Sequence, residues 1–239
     1  MPIKAVLFDM FDTLMLIEKD HGFYAPAMQR MYRYLKEHGI DVPFEKFEQT
    51  YINERDKIFA EADATFEEPH FYVRIAATLR ALGYNYEVSS PIVAEATSEF
   101  YIEFMKFVRI DPNTERTLQA LHKKYHLGVV SNFAIPECVL SLLHQSKIEH
   151  FFDVIIISGA VNKRKPHQDI FKRALDMMNV KAEEAIFVGD TIDADIEGAK
   201  AAGMKAVYIE RRTQKPSEKY RPDKTIKRLS ELPAILAHY

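Results

Sequence analysis

The chain has 239 residues, a formal net charge of -3, and 47% hydrophobic against 28% charged residues. That balance suits a soluble globular protein, either one large domain or a core with an insert, and speaks against a nucleic-acid binder that works through a basic surface. The single cysteine, Cys138, excludes an intramolecular disulfide and fits a reducing compartment; no apolar run is long enough to span a bilayer, and no signal-peptide layout opens the chain, so the expected location is the cytoplasm with no membrane partner.

The apolar run Ile3-Lys4-Ala5-Val6-Leu7-Phe8 predicts a buried strand, and it ends in Asp9-Met10-Phe11-Asp12-Thr13-Leu14. A carboxylate one residue beyond a buried strand is costly unless it has a charged or metal partner. Asp9 therefore reads either as a functional acid or as a plain turn-starting Asp.

From about residue 22 to about residue 108 the periods are helical. Met28, Met31, Tyr32 and Leu35 form one stripe, stopped by Gly39. Phe44, Phe47 and Tyr51 start a second behind Pro43, and Ile75, Leu79 and Leu82 form a third, ended by Gly83. Ser90-Pro91 predicts a capped start for a fourth, with Val93, Ala96, Phe100 and Phe104. Four consecutive helices suffice for a small bundle, and their aromatics are expected to be core. Arg55, Arg74 and His21 in this segment are within reach of a substrate in principle, with solvated surface as the ordinary reading.

Beyond Asp111 strands and helices alternate. Strands are expected at Leu127-Gly128-Val129-Val130, Val154 to Ile157, Ala185 to Val188 and Ala206 to Ile209, with a helix after each of the first three. Cys138 falls in the first of these helices and is expected to be a packed thiol. Residues 211–224 are polar and expected to be a solvated loop, and residues 229–236 a short helix. Uninterrupted apolar strands alternating with helices predict an α/β fold with a parallel sheet covered on both faces. Ligands of such sheets bind at the carboxyl ends of the strands. Asp9, Ser131, Lys165 and Asp190 all fall there, and a helical insert after the first strand is placed to cover them.

Asp9, Asp12, Asp190, Asp193 and Asp195 repel one another unless a cation lies among them. Oxygen-only ligands favour a hard ion such as Mg²⁺. Lys165 and the Ser131 hydroxyl suit a phosphate. Asp193 reads more readily as an acid at a helix start, favoured by the dipole.

These motifs together resemble the haloacid dehalogenase-like (HAD) hydrolase superfamily, in the subgroup with a helical (C1-type) cap after the first core strand. The resemblance rests on residues 9–14, on Ser131-Asn132, on Lys165-Pro166 with Ile170-Phe171, and on Val188-Gly189-Asp190 with Asp195-Ile196-Glu197-Gly198-Ala199 and Ala202-Gly203. It implies a Rossmann-like core of residues 1–15 and 109–239 and a four-helix cap of residues 16–108. It further implies a Mg²⁺-dependent phosphatase acting on a small phosphomonoester, as a monomer or homodimer. Asp9 would be the nucleophile that forms an aspartyl-phosphate, Lys165 a catalytic cation, and Ser131, Asn132 and Thr13 substrate-binding groups. Asp9, the Phe11 backbone carbonyl, Asp190 and Asp195 would hold the metal.

One departure stands out. Relatives of the phosphatase type usually read Asp-x-Asp-x-Thr, with the second Asp as acid and base, and here Phe11 takes that place. Asp12, one residue on, either replaces it or only caps the turn, since neighbouring side chains of an extended segment point to opposite faces. The 2-haloacid dehalogenases also carry an aromatic there and need no metal, which makes them the alternative. A non-catalytic phosphate or partner binder is the lesser alternative.

Overall fold

The computed structural model describes residues 2–239 except 19–21, 213 and 216, so His21 lies outside the described residues. The elements are, in chain order, β1 (Ala5–Phe8), β2 (Met15–Ile17), α1 (Tyr24–Glu37), α2 (Phe44–Asp63), α3 (Phe71–Ala81), α4 (Pro91–Met105), β3 (Val108–Ile110), α5 (Thr114–Leu121), β4 (His126–Ser131) and α6 (Pro136–Gln145). There follow β5 (Val154–Ile157), α7 (Ser158–Val161), α8 (Gln168–Met178), β6 (Ala185–Gly189), a π-helical turn (Ile192–Glu197), α9 (Gly198–Ala201), β7 (Lys205–Ile209), β8 (Lys224–Ile226) and α10 (Leu232–Leu236).

Val6 and Phe8 face one hydrophobic cluster, and Ala5 and Leu7 face the other. Alternate residues of one strand are thus buried on opposite faces, which is why the run carries no polar alternation. The α6 residues Cys138, Val139, Leu142 and Leu143 cover one face of the sheet, and the α8 residues Ile170, Phe171, Ala174 and Leu175 cover the other. The sheet has six strands in the order β5-β4-β1-β6-β7-β8, all parallel. This Rossmann-like order puts β1 at the centre. Phe8 pairs with Val129 on one side and Val188 on the other, so Asp9 leaves the sheet level with the ends of β4 and β6.

The four helical stripes form α1 to α4, and Met28, Met31, Leu35, Phe47, Tyr51, Ile75, Leu79, Val93 and Phe104 are all buried. Gly39 and Gly83 take positive φ where α1 and α3 stop, which only glycine adopts at little cost. Ser90 precedes α4, but its side chain makes no capping hydrogen bond. The helical insertion shares one continuous apolar cluster with the sheet face that α6 covers.

Three strands depart from the expectation. β2 and β3 pair antiparallel, Met15 opposite Ile110, and make the two-stranded connection between sheet and insertion. β8 pairs with β7 and begins at Lys224, the last residue of the stretch expected to be loop. All three have three residues, too few for a periodicity to show.

Candidate active site

At the end of β1 the Asp9 carboxylate is held on both oxygens. Lys165 Nζ donates to Oδ1 at 2.6 Å and Thr13 Oγ1 donates to Oδ2 at 3.3 Å. The turn beyond it closes through Leu14 N to Met10 O at 2.9 Å, with Asp12 at φ +54°. Asp is among the residues that tolerate this left-handed backbone.

Lys165 comes from the loop between α7 and α8, and the Lys165–Pro166 bond is cis. The Asn132 side chain clasps this backbone at both ends: Nδ2 donates to Lys165 O at 2.9 Å and Oδ1 accepts from Lys165 N at 2.8 Å. Nζ also reaches Asp195 Oδ1 at 2.7 Å, so one ammonium bridges two carboxylates. Asp195 lies in the π-helical turn, and its Oδ2 accepts from the Thr191 amide at 2.9 Å. A Cβ at Gly189 would collide with this carboxylate, with the Asp195 Cβ only 2.6 Å away, so glycine is required there.

Asp190 follows β6 directly. Among the described residues it has no cationic partner; Thr191 Oγ1 donates to its Oδ1 at 3.1 Å. Asp9, Lys165, Asp190 and Asp195 are 8%, 3%, 4% and 1% exposed. Carboxylate oxygens of Asp9, Asp190 and Asp195 all lie within 4.8 Å of one another.

The electrostatics follow from this crowding. Burial, then the negative charges of Asp9, Asp195 and Asp12, push the Asp190 carboxyl up to about 7. Burial also raises Asp9, with Lys165 opposing the rise and Asp195 adding to it. For Lys165, burial pulls the pKa down, but the charges of Asp195 and Asp9 outweigh it and the net shift is upward.

Over this group lies a cavity of about 280 Å³. Asp9, Lys165, Asp190 and Asp195 border it below, and Phe11, Phe23, Phe104 and Phe133 form much of its wall. Asp12 and Arg212 border it too, as an ion pair.

The family model of haloacid dehalogenase-like hydrolases matches residues 3–203. The chain belongs to the HAD-like hydrolases. It is 32% identical over 212 residues to a glyceraldehyde 3-phosphate phosphatase of Pyrococcus furiosus, covering 87% of this chain and 80% of that protein. To the protein of the same name from Methanocaldococcus jannaschii it is 30% identical over 237 residues, covering 98% and 97%. Among solved structures, a 2-haloacid dehalogenase from Pseudomonas syringae pv. Tomato DC3000 superposes with a TM-score of 0.78 at 26% identity, over 99% of both chains.

Of the five acids expected to converge, Asp9, Asp190 and Asp195 come together with Lys165, and the remaining expected residues take varied positions. Ser131 is fully buried at the end of β4, and its hydroxyl has no hydrogen-bond partner among the described residues. Asn132 is occupied with the Lys165 backbone, and Thr13 with Asp9. Asp12 Oδ1 accepts from the Ile17 amide at 3.2 Å while Oδ2 pairs with Arg212. Asp193 is exposed and outside the carboxylate cluster, its Oδ1 accepting from the Ala194 amide. Arg55 pairs with Asp56. Arg74 is not solvated surface: it is buried, bonded to Glu68 at 3.2 Å and set 4.4 Å over the Phe59 ring.

Three residues of the stretch expected to be loop belong to the site's surroundings. Arg211 donates to the Asp12 and Thr13 carbonyls at 3.0 and 3.2 Å and pairs with Asp111 at 2.6 Å. Arg212 pairs with Asp12. Gln214 reaches the loop that carries Asp190. The usable signal was position alone: the stretch follows the carboxyl end of β7, on the rim where ligands of parallel sheets bind.

Proposed function

We propose that this hydrolase is a phosphatase acting on a small phosphomonoester, with Asp9 as its nucleophile. The observation that carries the reading is the buried set Asp9, Lys165, Asp190 and Asp195, in which one ammonium bridges Asp9 and Asp195 and leaves Asp190 beside them without a cation among the described residues. The phosphatase names of relatives over most of the chain support it, and they put glyceraldehyde 3-phosphate among the substrates to be tried.

The donor set fits a hard divalent cation. Buried carboxylate oxygens within 4.8 Å of one another, one of them on the Asp190 carboxyl that burial and then its acidic neighbours push up to about 7, are the chemistry that Mg²⁺ relieves. Asp9, Asp190 and the Phe11 carbonyl would hold it. Asp195, both of whose oxygens already accept from Lys165 and the Thr191 amide, would join by giving one of them up. When bound, Mg²⁺ would offset the charge of the phosphate.

An Asp9 oxygen attacks phosphorus, and the bond from phosphorus to the ester oxygen breaks. The leaving oxygen keeps the electron pair and takes a proton. Water then attacks phosphorus, the bond to Asp9 breaks, and inorganic phosphate leaves with the carboxylate restored. Lys165, 2.6 Å from Asp9, cancels the repulsion between a carboxylate and an incoming dianion. The buried Ser131 hydroxyl, with no other partner among the described residues, is a donor for the phosphoryl oxygens. Phe11 has no proton to give. Asp12 borders the cavity, and its positive φ supplies the twist that an extended turn lacks, so it is the acid and base of this proposal; to act it must part from Arg212.

We take residues 16–108 as a cap, a reading supported by the Phe23 and Phe104 rings that the insertion sends into the cavity wall. Among the described residues no helix is long and apolar enough to cross a membrane. Cytoplasmic placement is part of the same proposal, supported by the one buried thiol, Cys138, whose pKa burial pushes up.

A second reading, a 2-haloacid dehalogenase, is favoured by Phe11 and by the similarity to the Pseudomonas syringae structure. Halide needs no proton to leave, but the buried Asp190 then has no task. Phosphate and halide release, measured with p-nitrophenyl phosphate and a 2-haloacid with and without a chelator, separates the two. Chelator-sensitive phosphate release is expected, and chelator-insensitive halide release would overturn the proposal.

A further inference from the structure

The wall over Asp9 is a connected set of four rings. Phe11 follows β1 and Phe133 follows β4, while Phe23 precedes α1 and Phe104 lies in α4. Ring centroids are 4.8 Å apart for Phe11 and Phe133, 5.6 Å for Phe11 and Phe104, 4.7 Å for Phe23 and Phe104, and 5.3 Å for Phe104 and Phe133. Phe11, Phe23 and Phe133 are only partly buried, so they still have ring surface facing the cavity, and Ile17 adds an aliphatic patch.

The polar side chains of the same cavity are largely engaged with one another. Asn132 holds the Lys165 backbone, Thr191 donates to Asp190, and Asp12 pairs with Arg212. A sugar-like group entering here would strip water from several hydroxyls and meet ring carbon, and unpaired buried hydroxyls forfeit affinity. A flat apolar group loses only water it holds weakly and gains edge and face contacts. The volume falls just below the roughly 300–1,000 Å³ usual for ligand cavities, which suits one ring on a phosphate rather than a nucleotide.

Resting on the phosphatase reading, we propose that the group esterified to the phosphate is apolar and planar: an aryl or arylalkyl phosphomonoester, bound with its phosphate over Asp9 and Lys165 and its ring among Phe11, Phe23, Phe104 and Phe133. The hydrolysis is that already written, with a phenol or arylalkyl alcohol as the departing group.

Binding of uncleavable phosphonates isolates the wall from leaving-group reactivity. Calorimetric titration of the Mg²⁺-loaded protein should show benzylphosphonate binding at least about tenfold tighter than hydroxymethylphosphonate, a ratio of the size aromatic contacts provide. In Phe133→Ala the ratio should fall to within about threefold, and in Phe133→Leu it should be intermediate. Equal affinities in the wild-type protein would overturn the proposal, as would a ratio unmoved in a folded Phe133→Ala. Turnover of p-nitrophenyl phosphate is followed on the same samples. Turnover with equal phosphonate affinities sinks the aryl preference alone, and absence of turnover sinks the phosphatase reading beneath it.

Discussion

Gln214 bridges the loop that carries Asp190, donating from Nε2 to the Asp190 carbonyl at 2.6 Å and accepting on Oε1 from the Ile192 amide at 3.0 Å. A single side-chain amide thus sets the backbone on both sides of Thr191, from 24 residues further along the chain. Groups that orient metal ligands from behind typically change metal affinity by about 10–100-fold when removed. Gln214→Ala is therefore expected to weaken Mg²⁺ binding by at least about tenfold, as read by calorimetry. Gln214→Glu keeps the acceptor for Ile192 but loses the donor to Asp190, and should lie between. Unchanged Mg²⁺ affinity in both variants would show that the loop holds its shape without Gln214.

Lys165 compensates two buried carboxylates at once, Asp9 at 2.6 Å and Asp195 at 2.7 Å. Its removal leaves both without a cation. Breaking a buried pair on one side costs about 3–5 kcal/mol, mostly through the charge left behind. Lys165→Met should lose activity and, at pH 7, stability of that order in urea unfolding. The sign with pH is fixed by the acids. Uncompensated and buried, they hold protons in the folded chain that the unfolded chain has released, so the variant should regain stability as pH falls from 7 towards 5. A loss that does not depend on pH would locate the damage in packing instead.

Asp190 gives a pH dependence to the metal-free protein. Its carboxyl rises from the ordinary 3.8 to about 7 on folding, through burial and then the charges of Asp9, Asp195 and Asp12. The stability this group contributes is fully present below 3.8 and lost as pH rises through about 7, over which range it amounts to a few kcal/mol at most, on the order of the shift itself. Mg²⁺ is expected to reverse this at neutral pH, since at a hundredfold excess over Kd a ligand adds about 2.7 kcal/mol. The melting temperature without metal should therefore fall between pH 5 and pH 8, and Mg²⁺ should raise it more at pH 8. Asp190→Asn should flatten this fall and abolish most of the Mg²⁺ effect.

The residues that lie at strand ends were readable from the chain because one sequence feature marks both strand and site. An apolar run that stops at an acid gives Asp9 and Asp190 directly, and the parallel order brings them together. Asp195 and Lys165 followed from loops whose distance from those strands is short. What stayed hidden depends on contacts between distant segments. Arg212 meets Asp12 across 200 residues and Arg211 meets the Asp12 and Thr13 carbonyls, and nothing in the polar stretch that carries them sets these two arginines apart from solvated ones. Arg74 read as surface because charged side chains usually are, yet Glu68 and the Phe59 ring shelter it. Phe104 was expected as core and is buried, but its ring also borders the cavity, a double role that helical spacing cannot express. Asn132 was expected as a substrate ligand; it does border the cavity, and the bonds by which its amide also clasps the Lys165 backbone are a contact the sequence does not show.

Under the proposed mechanism Asp12 is the residue on which leaving-group chemistry turns. Its carboxylate borders the cavity, one oxygen on the Ile17 amide and the other on Arg212. An acid matters in proportion to the basicity of the oxygen it protonates: an alkoxide needs the proton, and p-nitrophenolate leaves without it. A positioned acid contributes about 10²–10⁴-fold. Asp12→Asn preserves the acceptor for Ile17 and the tolerance for positive φ, so the turn should hold. It is expected to slow release of an alkyl alcohol such as benzyl alcohol by about 10²–10⁴-fold while changing p-nitrophenyl phosphate turnover by less than about tenfold, in steady-state assays at saturating Mg²⁺. Equal losses on both esters would instead make Asp12 an anchor for Arg212 and the turn. Arg212→Ala sharpens the distinction. If the pair restrains an acid, freeing Asp12 should leave alkyl ester turnover intact or raise it. If the pair holds the turn, the two variants should lose activity alike on both esters.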